Sequence, residues 1–233
     1  MYIYGKNVVK EALHTKKNIR KALITKNNKD QKLINEIKNN KIKIQFADKL
    51  ILDRLVDGNH QGFILEIDEI ETYPLESILN NDNPKSLVVI LDHLEDPHNF
   101  GAIIRTAVAL GIDAIIIPND RSVGITGTVV KTSAGSINYI KIIRTPNLNN
   151  AVEKLKKNGY WIVGTDMDGT DYTEIDYNTK IALIIGNEGK GISNILKSNC
   201  DYIAKIPMTN TINSLNASVS CGIILSEIIR QRR

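Results

Sequence analysis

Six short aliphatic runs, separated by helical patterns, restrict what this chain can become more than any other feature in it. They are Leu87-Val88-Val89-Ile90-Leu91, Ala114 to Ile117, Ile140 to Ile143, Trp161 to Gly164, Ile181 to Ile185 and Tyr202 to Ile206. A run that is apolar at consecutive positions has no polar side to turn to water, so it belongs in a strand covered on both faces. Between the runs lie helical patterns at Phe100 to Leu110, Thr126 to Thr132, Leu148 to Asn158, Ser193 to Lys197 and Ser214 to Arg232. Strand and helix in alternation predict an α/β fold with a mostly parallel sheet and helices on both sides of it.

The residues before these runs read differently. Residues 1–68 predict a smaller α/β unit, with helices at Lys6 to His14, Asp30 to Asn39 and Lys49 to Val56, the last capped by Asp48. Its strands fall at Ala22 to Thr25, Ile42 to Phe46 and Gly62 to Ile67, the last entered through the turn Gly58-Asn59-His60-Gln61-Gly62. Residues 69–86, with Pro74, Pro84 and the run Asn80-Asn81-Asp82-Asn83, read as a linker, and residues 87–233 as the main domain.

Residues 1–50 hold 13 Lys or Arg against 4 Asp or Glu, an excess that suits a polyanion-binding surface. A chain rich in Lys, Asn and Ile throughout produces part of that excess by composition alone. The apolar runs are far too short to span a bilayer, and the start Met-Tyr-Ile-Tyr-Gly-Lys has no apolar signal core, so a cytoplasmic location is expected. Cys200 and Cys221 stand at no metal-ligand spacing and are expected to be reduced, packed thiols; no metal is implied.

Three strand-to-helix joints carry polar residues beyond what a connector needs. The first, Asp92 to Arg105, offers Asn99 as a helix cap and places Arg105 among Ala, Ile and Val, a costly position unless it is paired with Glu95 or Asp96 or faces a cleft. His93 and His98 fit loop hydrogen bonding better than catalysis. The second, Gly186-Asn187-Glu188-Gly189-Lys190-Gly191, is neither G-x-G-x-x-G nor a Walker A loop, since glycine stands where Ser or Thr follows Gly-Lys, yet it sets an acid between glycines. The third runs from Ile206-Pro207-Met208 through Thr209, Asn210, Thr211, Ile212 and Asn213 to Ser214-Leu215-Asn216-Ala217-Ser218. Ser214, Asn216 and Ser218 either cap the last helix or orient a ligand at its positive end. The second and third joints lie at the C-terminal ends of their strands, where open α/β sheets bind ligands, and together they predict a pocket.

These joints, in this order, resemble the three signature motifs of the SpoU/TrmH family of RNA 2'-O-ribose methyltransferases, within the SPOUT superfamily, over Leu87 to Arg230. Asn99, Gly101 and Arg105 stand in the first motif; Gly186, Asn187, Glu188, Gly189 and Gly191 in the second; Pro207, Met208, Ser214, Leu215, Asn216 and Ser218 in the third. The N-terminal part, with Tyr4-Gly5 and Asn59-His60-Gln61-Gly62, is similar to the L30e-like RNA-binding domain of the RlmB-type 23S rRNA guanosine methyltransferases. Thr132 to Asn138 matches a small-residue segment of the family, although Asn138 stands where relatives often have Glu.

The resemblance implies a trefoil-knotted C-terminal segment, an exception to the rule that chains do not knot. It implies S-adenosylmethionine bound through backbone groups of Gly186, Ile206 and Leu215, with Asn187, Gly189, Met208 and Ala217 nearby, and a homodimer whose sites are completed across the interface. Arg105, Asn99, Glu188, Ser214 and Asn216 become the expected catalytic set. RNA is the expected partner, rRNA ahead of tRNA. Two other readings compete: a non-catalytic RNA-binding or ribosome-assembly protein on the same fold, and a nicotinamide-dependent oxidoreductase, which lacks its glycine fingerprint here.

Overall fold

The computed structural model describes residues 1–15, 18–80, 82–209 and 214–233, and it is built on two sheets. The N-terminal sheet contains Tyr2–Tyr4 (β1), Ile19–Thr25 (β2), Ile44–Ala47 (β3) and Phe63–Ile67 (β4), in the order β1-β4-β2-β3. β4 runs antiparallel to both neighbours, and β3 is parallel to β2. Lys6–His14 (α1), Gln31–Asn39 (α2) and Lys49–Asp53 (α3) connect them. α2 forms because Leu33, Ile34 and Ile37 make one apolar stripe and Asp30 caps it, its carboxylate accepting from Leu33 N.

Two local expectations are corrected here. Asp48 precedes α3 but makes no capping bond; its carboxylate takes the Lys26 ammonium at 3.1 Å instead, and the helix stops at Asp53 rather than Val56. β1 was not foreseen, because three residues ahead of a glycine carry no periodicity of their own and gain strand geometry only by pairing with β4. The stretch of residues 69–86 is also more structured than its composition implies. Tyr73 N donates to Ile142 O at 2.9 Å, and Glu76–Leu79 (α4) follows with Leu75 and Ile78 buried; Asn81 lies outside the described residues.

The larger sheet contains Leu87–Leu91 (β5), Ala114–Pro118 (β6), Lys141–Thr145 (β7), Trp161–Asp171 (β8), Ile181–Ile185 (β9) and Tyr202–Lys205 (β10). Its order is β10-β8-β9-β5-β6-β7 and every pairing is parallel. The helices are Pro97–Ala109 (α5), Gly127–Thr132 (α6), Leu148–Lys157 (α7), Asn194–Ser198 (α8) and Ala217–Gln231 (α9), with a 3-10 turn at Ser136–Tyr139. Alternation along β5 explains its continuous apolar run. Leu87, Val89 and Leu91 join one core layer with residues of α5 and α9, while Val88 and Ile90 join the opposite layer with residues of α4, α7 and α8. All five residues of β5, β6 and β9 are buried.

The chain builds β5, β6 and β7 outward in one direction, then returns to build the other side. The order therefore reverses between β5 and β9, and the crevice at their C-terminal ends is the position where such sheets take ligands. α9 leaves that end and finishes beside the N-terminal ends of β5 and β9. There the Arg232 guanidinium donates to the carbonyls of Tyr177, Lys85 and Thr179 at 3.0, 2.6 and 2.7 Å, and Gln231 bonds Ile175 O and Tyr177 N. No helix of the described residues is long and apolar enough to cross a membrane.

Buried Glu227 near the end of α9 is gripped by Arg230 Nε and Nη2, each at 2.7 Å, and by Gln231 Nε2 at 2.8 Å. These donors, Arg230 first, hold its carboxyl down at about 2, from an ordinary glutamate value near 4.5. A depressed folded value means that the charged form stabilises the fold fully above about pH 4.5 and that this contribution is lost as pH falls toward 2. Glu227→Gln is expected to lower Tm at pH 7, with the gap to the parent chain closing between pH 4.5 and 2 in scanning calorimetry. A gap that stays constant over that window removes the carboxylate from the account.

Candidate active site

β9 ends at Ile185, and the chain then doubles back on itself. Asn187 and Gly191 exchange backbone hydrogen bonds of 3.0 and 2.9 Å, which pulls Gly191 against Gly186. A Cβ at Gly186 would lie 2.3 Å from the Gly191 carbonyl carbon and 2.5 Å from Ile192 N, both backbone atoms, so only glycine closes this loop. The Asn187 side chain holds both ends: Oδ1 accepts from Gly189 N at 2.9 Å, and Nδ2 donates to His93 O at 2.9 Å, in the joint after β5. Buried Asp92 repeats that link, accepting from Ser193 N at 2.7 Å and from the His93 ring at 2.6 Å.

Asn99 lies at the centre. Its Nδ2 donates to Glu188 Oε1 at 2.6 Å, and its Oδ1 accepts from Asn216 Nδ2 at 2.9 Å. One buried amide thus joins all three joints. The expectation that Asn99 caps α5 is corrected: Asp96 caps it, accepting from His98 N at 2.9 Å, and Pro97 occupies the first turn, which frees Asn99 to reach across. The last helix likewise begins at Ala217 rather than Ser214. Asn216 is its cap, with Oδ1 accepting from Ser218 N and Val219 N at 2.9 and 3.3 Å, so of the three polar residues of the third joint this one takes the capping role.

A cavity of about 400 Å³ opens beside this hub. Of the expected residues, Gly186, Asn187, Glu188, Gly189, Ile206, Met208, Ser214, Leu215 and Ala217 line it. Asn99, which is buried, and Asn216, which is exposed, are not part of the lining. Arg105 is exposed on α5, is absent from the lining and makes no hydrogen bond or ion pair among the described residues, so neither Glu95 nor Asp96 anchors it. Asn210, Thr211, Ile212 and Asn213 lie outside the described residues.

Sequence reasoning missed one wall, formed by Thr165, Asp166 and Met167. β10 pairs Ile203 with Gly164 and then Ala204 with Thr170, so the intervening stretch of β8 bulges toward the cavity. A Cβ at Gly169 would lie 2.4 Å from Ile203 O, which is how the strands close again after the bulge. The two glycines flanking a polar stretch were the available signal. Burial raises the Asp166 carboxyl, but the Lys197 ammonium at 2.8 Å and two backbone donors outweigh it and hold the group below its ordinary value. Cys200 and Cys221 are free; burial pushes their thiols up to about 11 and about 12. Among the described residues no group of three or more His, Cys, Asp or Glu is placed to hold a metal ion.

Residues 86–226 match the SpoU rRNA Methylase family, and residues 2–73 match a domain described as RNA 2'-O ribose methyltransferase substrate binding. The chain therefore belongs to the SpoU/TrmH family of RNA methyltransferases. A relative from Staphylococcus saprophyticus, whose name assigns it to the TrmH family of tRNA/rRNA methyltransferases, is 43% identical over 99% of this chain and 95% of its own. Among solved structures, the SpoU methyltransferase AviRb from Streptomyces viridochromogenes, in complex with AdoMet, superposes with a TM-score of 0.85 at 26% identity, covering 100% of this chain and 90% of that one. An AdoMet-bound rRNA methyltransferase from Sinorhizobium meliloti superposes at 0.81 and 26% identity, over 98% of this chain and 86% of that one.

Asn99→Ala removes its bonds to Glu188 Oε1 and Asn216 Nδ2, both on exposed residues that can turn to water, and a cost of about 0.5–1.5 kcal/mol is expected in urea unfolding. Combined with Asn216→Ala the two costs should fail to add by at least about 0.5 kcal/mol. Simple additivity would mean that the amide does not couple the joints.

Proposed function

We propose that this chain methylates a ribose 2'-hydroxyl of RNA at the expense of S-adenosylmethionine, the RNA being large-subunit rRNA and the nucleotide a guanosine. The observation that carries the reading is that the loops after β9 and β10 line one cavity while Asn99 ties both to the joint after β5. The cavity suits the methyl donor. Its volume of about 400 Å³ falls within the range of about 300–1,000 Å³ typical of small-molecule sites. Ile185, Ile206, Met208, Leu215, Ala217 and Ile224 offer apolar walls to a flat adenine, the glycine loop offers bare backbone, and the Asp166 and Glu188 carboxylates offer acceptors to a cationic ligand.

Gly186, Ile206 and Leu215 would hold the adenine and its ribose through backbone groups, with Asn187, Gly189, Met208 and Ala217 beside them. When bound, S-adenosylmethionine supplies an electrophilic methyl group. The protein must then align the acceptor and stabilise the charge that develops on its oxygen as the proton leaves. Ser214, on the cavity lining, and Asn216 would orient the ribose; Asn216 is held at both ends by Asn99 and by the helix it caps, so its position is fixed before substrate arrives. Glu188, fixed by Asn99, would complete the polar rim.

Arg105 is assigned to the RNA side. Its guanidinium stays charged at neutral pH and is an unsuitable base, so it acts electrostatically on the ribose oxygen or a neighbouring phosphate while the proton passes to a phosphate oxygen or water. Its absence from the lining of its own cavity fits a site completed across a homodimer. Val219, exposed at the start of α9, fits the same arrangement. A trefoil-knotted C-terminal segment, a cytoplasmic location and a division into residues 1–68, a linker at 69–86 and residues 87–233 belong to this reading as well.

The family match of residues 86–226 and the whole-chain likeness to an rRNA methyltransferase support rRNA. A tRNA substrate is the alternative, since the S. saprophyticus relative carries a family name covering both. Mapping ribose methylation in total RNA with and without the protein separates them. Arg105→Ala is expected to bind S-adenosylmethionine normally by calorimetry while RNA methylation falls about a hundredfold or more. Undiminished turnover would remove Arg105 from the site, and a parent chain that binds no S-adenosylmethionine would favour a non-catalytic RNA-binding protein.

A further inference from the structure

A second cavity, of about 650 Å³, opens on the N-terminal domain, lined by Thr25, Asn28, Lys49, Asp53, Asn59 and Gln61 together with backbone of residues 58–62. The loop that shapes it is held against its own preferences. Gln61 sits at φ 53° and Gly62 at φ 82°, and a Cβ on Gly62 would lie 2.4 Å from Asn28 Nδ2 and 2.7 Å from Thr25 Oγ1. His60 is buried beneath it. Its Nδ1 accepts from Gly62 N at 2.9 Å, which leaves Nε2 to donate to Asp53 Oδ1 at 2.9 Å and fixes the ring.

The same hydrogen bonds decide what the cavity presents. Asn59 Oδ1 accepts from Gln61 N at 3.0 Å, and Gln61 Oε1 accepts from Lys6 N at 2.9 Å. With both amide oxygens spent on backbone N–H groups, the two amide NH₂ groups are left over, and neither they nor the Lys49 ammonium has a partner among the described residues. The lining is therefore rich in unused donors. Such a surface fits a ligand rich in acceptors, as phosphate oxygens and the carbonyl edge of an unstacked base are.

The rim of this cavity is also fastened to the catalytic domain. Lys131 Nζ, on α6, donates to Asn59 O at 2.6 Å and stands 4.6 Å from the Tyr4 ring centroid; Tyr4 Oη donates to Asp57 O at 2.6 Å and meets Thr128 Oγ1 at 3.1 Å. α6 in turn abuts α5 so closely that a Cβ at Gly101 would lie 2.5 Å from Thr132 Cβ, two residues from the Asn99 hub. We propose that this cavity binds one unstacked nucleotide of the RNA substrate, Lys49 taking its phosphate and the Asn59 and Gln61 amides the acceptor edge of its base, at a register from the methyl-transfer site that α6 sets. The proposal rests on the RNA-methyltransferase reading above.

The double variant Asn59→Asp and Gln61→Glu keeps both internal acceptors, removes the two NH₂ donors and adds two negative charges. Exposed Asn39→Asp with Gln45→Glu makes the same charge change outside the cavity. The four measurements are binding of deproteinised large-subunit rRNA by filter retention at fixed salt, KM and kcat for methylation, S-adenosylmethionine binding by calorimetry, and Tm. The cavity variant should lose at least tenfold in rRNA affinity, with KM rising in step and kcat, S-adenosylmethionine binding and Tm unchanged. The charge control should stay within threefold of the parent. Equal losses in both variants, or no loss in the cavity variant, overturn the subsite. A parent chain that binds S-adenosylmethionine but neither rRNA nor tRNA overturns the underlying reading and the subsite together, before any variant is compared.

Discussion

The Asn99 amide has few hydrogen-bonding positions, and the structure commits one donor to Glu188 and the oxygen to Asn216. That allocation sets the distances between the loop after β9, the cap of α9 and the first turn of α5. A carboxylate in its place would repel Glu188, and a hydrocarbon would leave Glu188 and Asn216 without the bonds that tie them together, so an amide is the one side chain of this length that satisfies an acceptor and a donor together. Asp96 and Pro97 make this possible by starting the helix without it.

The hub can work because the sheet delivers its three joints to one place. β5 and β9 are adjacent and parallel, so their C-terminal ends open at the same level, and β10 reaches that level by pairing with β8. Buried Asp92, at the end of β5, bonds Ser193 N beyond the glycine loop, while Asn187 within the loop bonds His93 O in return. The glycine loop is thus held from outside as well as by its own turn. Close packing of Gly186 on Gly191 leaves bare backbone facing the cavity, which is the surface a planar ligand can approach without displacing side chains.

Much of this was legible from the residues alone, for particular reasons. β5, β6 and β9 announced themselves because strands buried on both faces must be apolar at every position, and α2 because its apolar stripe and its Asp30 cap agree. The polar loops were legible because they exceed what a connector needs. β1 and the wall made by Thr165 to Met167 were not, since each owes its shape to a partner strand distant in sequence. Asn99 was picked out but given the wrong local job: a residue three positions inside a helix and a cap differ by one turn, and the sequence around Asp96 permits either. Arg105 is the reverse case, a residue whose oddity on an apolar helix was visible but which the described residues leave exposed and outside the cavity lining.

The junction between the two sheets bears on why a basic N-terminal domain is useful at all. Charge alone gives affinity that tracks any polyanion and falls with salt, without fixing which nucleotide reaches the cavity. Register needs a rigid frame. Here Tyr4 serves both sides at once, bonding Asp57 O within its own domain and Thr128 on α6, while Gly127 lets α6 approach so closely that a Cβ there would lie 2.3 Å from Tyr2 O. Gly135 does the same against Glu11, whose carboxylate accepts from Tyr139 Oη. Two glycines and a shared tyrosine fix the N-terminal domain at a set distance from the Asn99 hub, which is the rigid frame the proposed nucleotide subsite requires.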